Sequence, residues 1–277
     1  MDSPLKWHGG KHYLAPKLWE IAKSIPHVHR VEVFGGSLAF TLATEPEGYS
    51  EVVSDANGKL MNFWSVLRNP DLFPEFQRRC EATPFSESLY RECGLILEKE
   101  IESPAPRWLA IEHAHAFFVF CRQSMAGRMN GFAPLTKRRV RRGMNEQVSA
   151  WLTTVEGLPV VHERLKRVVV RHRGFDELIP SEDKESTLFY CDPPYLHETR
   201  STTTEYGKFE MSEKEHMLLL KRLAALKGKF MLSGYRSEMY AQFAESFGWR
   251  RIDWDLPNNS ASGASKERKT ESLWLNF

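Results

Sequence analysis

Long apolar runs are missing from this 277-residue chain, and none approaches the length a membrane-spanning helix needs. The opening residues, Met1 to Lys11, lack the apolar centre of a secretory signal. Cysteine is scarce. The four present, Cys80, Cys93, Cys121 and Cys191, show no Cys-x-x-Cys spacing, which speaks against a zinc site and against a disulfide framework. The expectation is a reducing, cytoplasmic setting with no membrane and no metal. Internal repeats and low-complexity blocks are absent too, which excludes a solenoid. A net charge of only +2 does not announce a nucleic-acid partner, so the distribution of charge must decide that question.

What is present is ordinary for a folded protein. Hydrophobic residues make up 42% and charged residues 27% of a chain long enough for one large or two smaller domains. Residues 1–70 read as alternating helix and strand: helix over 12–24, strand over 30–34, a glycine turn into a helix near Ser37, strand over 51–55 and helix over 57–67. Residues 71–121 read as helices. From Arg122 to Arg142 there are seven basic residues and no acidic one, with Gly127, Gly131 and Pro134 breaking any long helix. A further helix opens at Asn145 and runs to about Val155. Strands follow over 168–171, 187–191, 229–233, 249–254 and 272–276, with helices over 212–226 and 237–247 and a polar loop over 258–269. Ser212 and Glu215 form a capping-box signature. This pattern implies one mostly parallel α/β sheet assembled from two separated segments, 1–70 and 160–277, with a helical and basic insertion over 71–159.

Asp192-Pro193-Pro194-Tyr195 carries the most chemistry. It directly follows the apolar run Leu188 to Cys191, and two prolines that cannot donate to a ladder end that strand abruptly. Ligands of open α/β sheets bind at the carboxyl ends of strands. There the Asp192 carboxylate and the Pro193 carbonyl can accept the two hydrogens of an exocyclic amine, with Tyr195 stacked on a planar base. An ordinary strand followed by a proline turn is the bland reading.

Three further patterns fit. Glu32-Val33-Phe34-Gly35-Gly36-Ser37 is a strand, glycine turn and helix start, where backbone can approach a ligand closely; a plain tight turn is the alternative. Asp55 closes the next strand, 19 residues beyond Gly36, where nucleotide sites place an acid on ribose hydroxyls. Its alternative role is the N-cap of the following helix. Lys6-Trp7-His8-Gly9-Gly10-Lys11 suits a carboxylate-bearing ligand, or is simply a basic terminus.

In this order, Lys6-Trp7-x-Gly9-Gly10-Lys11, Glu32-x-Phe34-x-Gly36, Asp55 and Asp192-Pro193-Pro194-Tyr195 resemble the motifs of the DNA adenine methylase family. The closing Thr270 to Asn276 is similar to that family's final strand, and the motif order resembles the α arrangement of amino-methyltransferases. The resemblance spans nearly the whole chain. It implies a Rossmann-like, doubly wound catalytic domain with a target-recognition insertion, S-adenosylmethionine as cofactor and double-stranded DNA as substrate. It assigns Trp7, Gly9, Gly10, Lys11, Glu32, Phe34, Gly35, Gly36, Asp55, Phe175 and Asp192 to the cofactor, and Asp192 to Tyr195 to catalysis. Two departures stand out: Leu38 replaces a further glycine, and Gly174-Phe175 is followed by Asp176 where relatives place an acid before the phenylalanine.

Within the insertion, Arg122, Arg128, Lys137, Arg138, Arg139, Arg141 and Arg142 are expected to meet phosphates or read guanine edges, unless the run is a solvated loop. The function expected is N6 methylation of a flipped-out adenine at a short DNA sequence, by a monomer or weak dimer, in a restriction–modification setting. The alternatives are methylation of adenine in RNA, methylation of a glutamine amide in a protein, or a non-catalytic DNA-binding module of the same fold.

Overall fold

The computed structural model describes residues 1–7, 9–101, 104–135, 137–196, 209–257 and 268–277. Its main sheet has seven strands: β1 (His29–Glu32), β2 (Ser50–Ser54), β5 (Val168–Arg171), β6 (Thr187–Cys191), β7 (Lys229–Gly234), β8 (Arg250–Pro257) and β9 (Arg268–Leu275). They lie in the order β5-β2-β1-β6-β7-β9-β8. β2, β1, β6 and β7 are mutually parallel, whereas β9 is antiparallel to both β7 and β8. This is the mostly parallel, Rossmann-like α/β sheet expected, and its central pair β1–β6 joins the two separated segments. The residues of β6 are buried throughout, the mark of a strand covered on both faces.

The chain divides into two compact units: 1–21, 36–46 and 57–172 in the first, and 22–35, 47–56 and 173–277 in the second. The sequence boundary at residue 70 groups residues differently. Helix α3 (Gly58–Arg68) packs with α4 (Phe73–Glu81) and α6 (Arg107–Arg122) around Phe63, Phe76 and Phe118, so it is compact with the helices after residue 70. α5 (Glu87–Glu98) and α7 (Glu146–Leu165) complete that helical unit, with the short α1 (Ala15–Ala22) and α2 (Ala39–Ala43).

In the second unit, buried Val31, Phe189, Leu219, Leu223, Phe230 and Trp274 form a core between sheet and helices. α9 (Glu213–Ala224) carries the expected capping box: Ser212 Oγ accepts from the Glu215 N–H, and the Glu215 carboxylate accepts from the Ser212 N–H at 2.7 Å. α10 (Glu238–Phe247) ends at Gly248 in the left-handed region.

Three elements depart from the sequence reading. α8 (Phe175–Glu182) was not expected, because Pro180 lies inside a short run. α7 continues ten residues past the expected end at Val155, through Pro159. Proline has no N–H for the carbonyl four residues earlier, that of Val155, and the Gln77 side-chain amide of α4 donates to it instead at 3.3 Å. The basic run holds a small hairpin, β3 (Val140–Arg141) with β4 (Met144–Asn145), turned at Arg142 (φ 55°) and Gly143 (φ 74°). Two central residues of positive φ are what a two-residue hairpin turn requires. Most of the expected polar loop over 258–269 lies outside the described residues; β9 begins at Arg268, earlier than expected.

Candidate active site

The second unit gathers one group of candidate residues at the carboxyl ends of its parallel strands. β1 is registered with Glu32 opposite Val53 on one side and Tyr190 on the other. Just beyond these strands, Phe34 follows the end of β1, Asp55 the end of β2 and Asp192 the end of β6, at three adjacent strand ends. The ends are tied by backbone hydrogen bonds from Val33 N–H to the Tyr190 carbonyl (2.9 Å) and from Gly35 N–H to the Ser54 carbonyl (2.7 Å). Ser54 Oγ also donates to the Arg173 carbonyl at 2.9 Å, which pins the segment leading into α8. That link delivers Phe175 to Phe34, ring centroids 5.8 Å apart. Glu32 is buried, while Phe34, Asp55, Phe175 and Asp192 are each half-buried.

Asp55 is not the helix cap. Asn57 holds that position on α3, its side chain accepting from the N–H groups of Lys59 and Leu60 at 3.1 and 3.3 Å. The alternative reading of Asp55 is therefore taken by another residue.

Tyr195 departs from the expectation of a ring offered to a base. It is buried, edge-on to Tyr235 with centroids 4.7 Å apart. Its hydroxyl is hydrogen-bonded to Asp192 Oδ1 at 3.1 Å and to Glu271 Oε1. Burial first, then Asp192 and Glu271, push its phenol well above the ordinary range. The neighbouring Tyr190 phenol is raised likewise, by burial and then Asp192, and bonds Ser233 Oγ at 3.2 Å. Glu271, on β9 and only 4% exposed, is a residue that motif reading did not single out as part of the site. The available signal was an acid alternating with Leu273 and Leu275 in an otherwise apolar closing strand.

The first unit holds the other group. Trp7 lies so close to Gly36 that a Cβ on the glycine would stand 2.8 Å from the indole Nε1, and Gly36 adopts φ +47°. The Gly36 carbonyl accepts from Trp64 Nε1 at 3.0 Å. Gly10 N–H donates to the Trp7 carbonyl at 3.1 Å, and a Cβ on Gly10 would come within 3.2 Å of Ser37 Oγ. Trp7, Gly10, Gly36 and Ser37 thus form one tight cluster, with Gly9 at φ 75° and Lys11 buried beside it in sequence. Leu38, the departure noted above, caps α2 in the left-handed conformation a glycine would adopt freely (φ 53°, ψ 35°). Lys6 donates to Gln147 Oε1 at 3.0 Å, and burial together with the Arg122 charge lowers its ammonium pKa to about 8.

The basic residues of the first unit fall into two sets. Arg122 turns its guanidinium inward, onto the Ala150 carbonyl (3.1 Å) and Thr154 Oγ1 (2.5 Å) of α7, which removes it from the DNA contacts we carry forward. Arg142 pairs with Glu156 at 3.0 Å and Arg139 with Glu146 at 3.5 Å. Lys137, Arg138 and Arg141 are exposed, and Arg128 is half-buried. Among the described residues, no cluster of three or more histidine, cysteine, aspartate or glutamate side chains is arranged to hold a metal, and no helix is long and apolar enough to cross a membrane.

Comparison with known proteins decides the family. The D12 class of N6 adenine-specific DNA methyltransferases matches residues 7–112 and 156–255, well over half the chain. The chain belongs to that family. It is an adenine-specific DNA methyltransferase, and use of S-adenosylmethionine follows from the family. The match leaves out residues 113–155, the stretch that contains the whole basic run. The chain is also similar to the Type II methyltransferase M.MjaIII of Methanocaldococcus jannaschii, 24% identical over 294 residues, covering 99% of this chain and 98% of that protein. A structural similarity to the crystal structure of SMU.472 complexed with SAH has a TM-score of 0.37 at 10% identity; it covers 97% of this chain, which spans about half (52%) of that one.

Proposed function

We propose that this methyltransferase acts on an adenine flipped out of duplex DNA at a specific short sequence, with Asp192 and the Pro193 carbonyl holding the N6 amine. The observation that carries this is the row Asp55, Phe34 and Asp192 at three adjacent strand ends, with Phe175 against Phe34. An aromatic pair and a half-buried acid at a neighbouring strand end fit an adenosyl group: rings for the base, a carboxylate for ribose hydroxyls. We assign Glu32, Phe34, Gly35, Asp55, Phe175 and Asp192 to the cofactor on this ground, and Trp7, Gly9, Gly10, Lys11 and Gly36 on their motif. S-adenosylmethionine supplies an electrophilic methyl group when bound.

The residues of the chain do the rest. An adenine amine is a poor nucleophile because its lone pair is delocalised into the ring. Hydrogen bonds from its two N–H groups to Asp192 and the Pro193 carbonyl favour a tetrahedral nitrogen with a directed lone pair. On transfer, N6 would gain the methyl carbon as the sulfur–methyl bond breaks and leaves a neutral thioether, and N6 would release one hydrogen as a proton to solvent. Alignment and fixed electrostatics are the catalytic contributions, and neither a metal nor a covalent enzyme intermediate is called for. Pro194 stiffens the loop, and Tyr195 fixes Asp192. The base must leave the stack, because its amine is inaccessible inside the duplex.

We assign target recognition to residues 71–159, with exposed Lys137, Arg138 and Arg141 on phosphates and Arg128 as a candidate base reader. A place in a restriction–modification pair is supported by the description of the similar archaeal protein as Type II. The test is incubation with methyl-labelled S-adenosylmethionine and duplex DNA, digestion to nucleosides, and sequencing of the methylated sites. Label on adenine N6 within one short sequence is expected. Label on cytosine, or on RNA or protein alone, overturns the reading.

A further inference from the structure

Strand β8 ends the main sheet on one side. It pairs with β9 along its whole length, and among the described residues no strand pairs with its other side. Eight residues make a long edge, and the outward N–H and C=O groups of such an edge are a template for another strand. Folded proteins blunt their edges with very short strands, with proline, or with charges that repel a second copy. The one proline of β8, Pro257, stands at its far end, and its charges are of both signs.

The order of those charges selects a partner. Arg250, Arg251, Asp253 and Asp255 are exposed, and Ile252 and Trp254 are half-buried. When a second copy joins β8 to β8 about a two-fold axis, the strands run antiparallel and even-numbered residues meet even, odd meet odd. Each register is then centred on one residue that faces itself. Centring on Arg250 or Arg251 sets two arginines together, and centring on Asp253 or Asp255 sets two aspartates together. Centring on Trp254 brings Asp253 against Asp255. Centring on Ile252 avoids every like-charge contact: Arg251 of each copy meets Asp253 of the other, Arg250 meets Trp254, and Ile252 meets Ile252. Opposite charges directly across a strand pair stabilise it and like charges oppose it, so the charge order singles out this register. Asp253 is already held in place for it, accepting from Arg236 Nη2 at 2.7 Å and from Ser272 Oγ at 2.6 Å. Arg251 reaches Asp253 of its own chain at 3.2 Å, and pairing would build two such contacts into one alternating cluster of four charges.

We propose that β8 is a self-association surface, on which a second copy of this chain pairs antiparallel about Ile252 and joins two seven-stranded sheets. The paired segment is 250–254, so Pro257, which has no N–H to donate, falls outside it. The arrangement also orients the two sites. β1, β6 and β7 are mutually parallel, and the two-fold axis reverses them in the second copy. Their carboxyl ends, with Phe34 and Asp192, then face opposite ways, so each copy takes its own stretch of DNA. The pairing itself does not depend on the role given to Asp192.

The experiment is analytical ultracentrifugation of the purified full chain over a wide range of protein concentration at low salt, with circular dichroism to confirm folding. Wild type is expected to pass from one copy to two as concentration rises. R251D sets two aspartates against each other at both charge contacts, and D253R sets two arginines, so each should weaken association roughly tenfold or more. An equimolar mixture of the two variants restores both contacts in the mixed pair, and should associate at least as well as wild type. If D253R does not fold, because Arg236 and Ser272 lose their acceptor, R251D and I252K decide; I252K places like charges face to face at the centre. Wild type that sediments as one copy throughout overturns the proposal. So does association that R251D, D253R and I252K leave unchanged, or a mixture of folded variants that stays apart.

Discussion

Trp7 occupies the space that a side chain on Gly36 would need, with its indole Nε1 2.8 Å from the position of the missing Cβ. Gly36 also sits at φ +47°, which L side chains rarely adopt. Gly36→Ala therefore combines left-handed strain with overpacking, and a loss of about 2–4 kcal/mol is expected. Urea unfolding measures it. A loss below ~0.5 kcal/mol, the range of an ordinary surface change, would show that the indole moves aside freely.

At Leu38 the same backbone region yields an inverted ranking. The side chain is fully buried, so either truncation destabilises. Alanine keeps the left-handed penalty of φ 53°, and glycine removes it. Leu38→Gly should therefore be more stable than Leu38→Ala by about 1 kcal/mol, the reverse of the usual order in a helix-start segment. Thermal melts of the two variants side by side check the order.

Asp55 and Asn57 separate two roles that lie two residues apart. Asp55→Ala should weaken S-adenosylmethionine binding at least ~10-fold, through lost charge-assisted hydrogen bonds, with little change in stability. Asn57→Ala should cost about 1 kcal/mol of stability through the lost cap of α3, with cofactor affinity held. Calorimetric titration and denaturation on both variants would expose any exchange of roles.

The ion pairs of the basic run divide its expected contribution to DNA binding. Replacing Lys137, Arg138 and Arg141 with alanine should flatten the log–log salt dependence of duplex binding by up to ~2.7 units. Arg142→Ala should change the slope less, because that side chain is paired with Glu156. Titration of matched duplexes over a salt series reads both. Equal slopes in all variants would place the DNA surface elsewhere in the chain.

Lys6 gives a pH-dependent stability. Its pKa is lowered from 10.5 to about 8 in the folded chain, mainly by burial. Between those values the unfolded chain holds a proton that the folded one has given up, so folding becomes more favourable as pH rises through the window. Wild type should gain stability relative to Lys6→Met from pH 8 towards 10.5. Parallel denaturation curves across that range test the sign, and a gap that widens in favour of the variant would contradict it.

Much of this was legible in the chain because its signals are local. β6 and the proline pair announce themselves, as do the Ser212–Glu215 capping box and the strand ends at Glu32 and Asp55. What escaped depends on partners far away in sequence. Pro159 reads as a helix stop, and nothing near it discloses that Gln77 will serve the orphaned Val155 carbonyl. Arg122 reads as a free cation until α7 supplies the acceptors that draw it inward. Glu271 lies in a closing strand whose place between β7 and β8 is not written in strand periodicity. Residues 57–70 read as part of the sheet domain, yet their apolar face is matched by helices that follow residue 70.

The interior place of β9 also has a temporal consequence. β7 and β8 leave a synthesising ribosome before β9 does, yet neither pairs with the other in the finished sheet. Until Leu275 emerges, β7 presents a bare edge of unpaired N–H and C=O groups, an invitation to pairing with other chains. β9, made after both of them, is thus the strand that closes that edge and brings Glu271 to Tyr195, so pairing of the β7 edge and the Tyr195–Glu271 link arrive together.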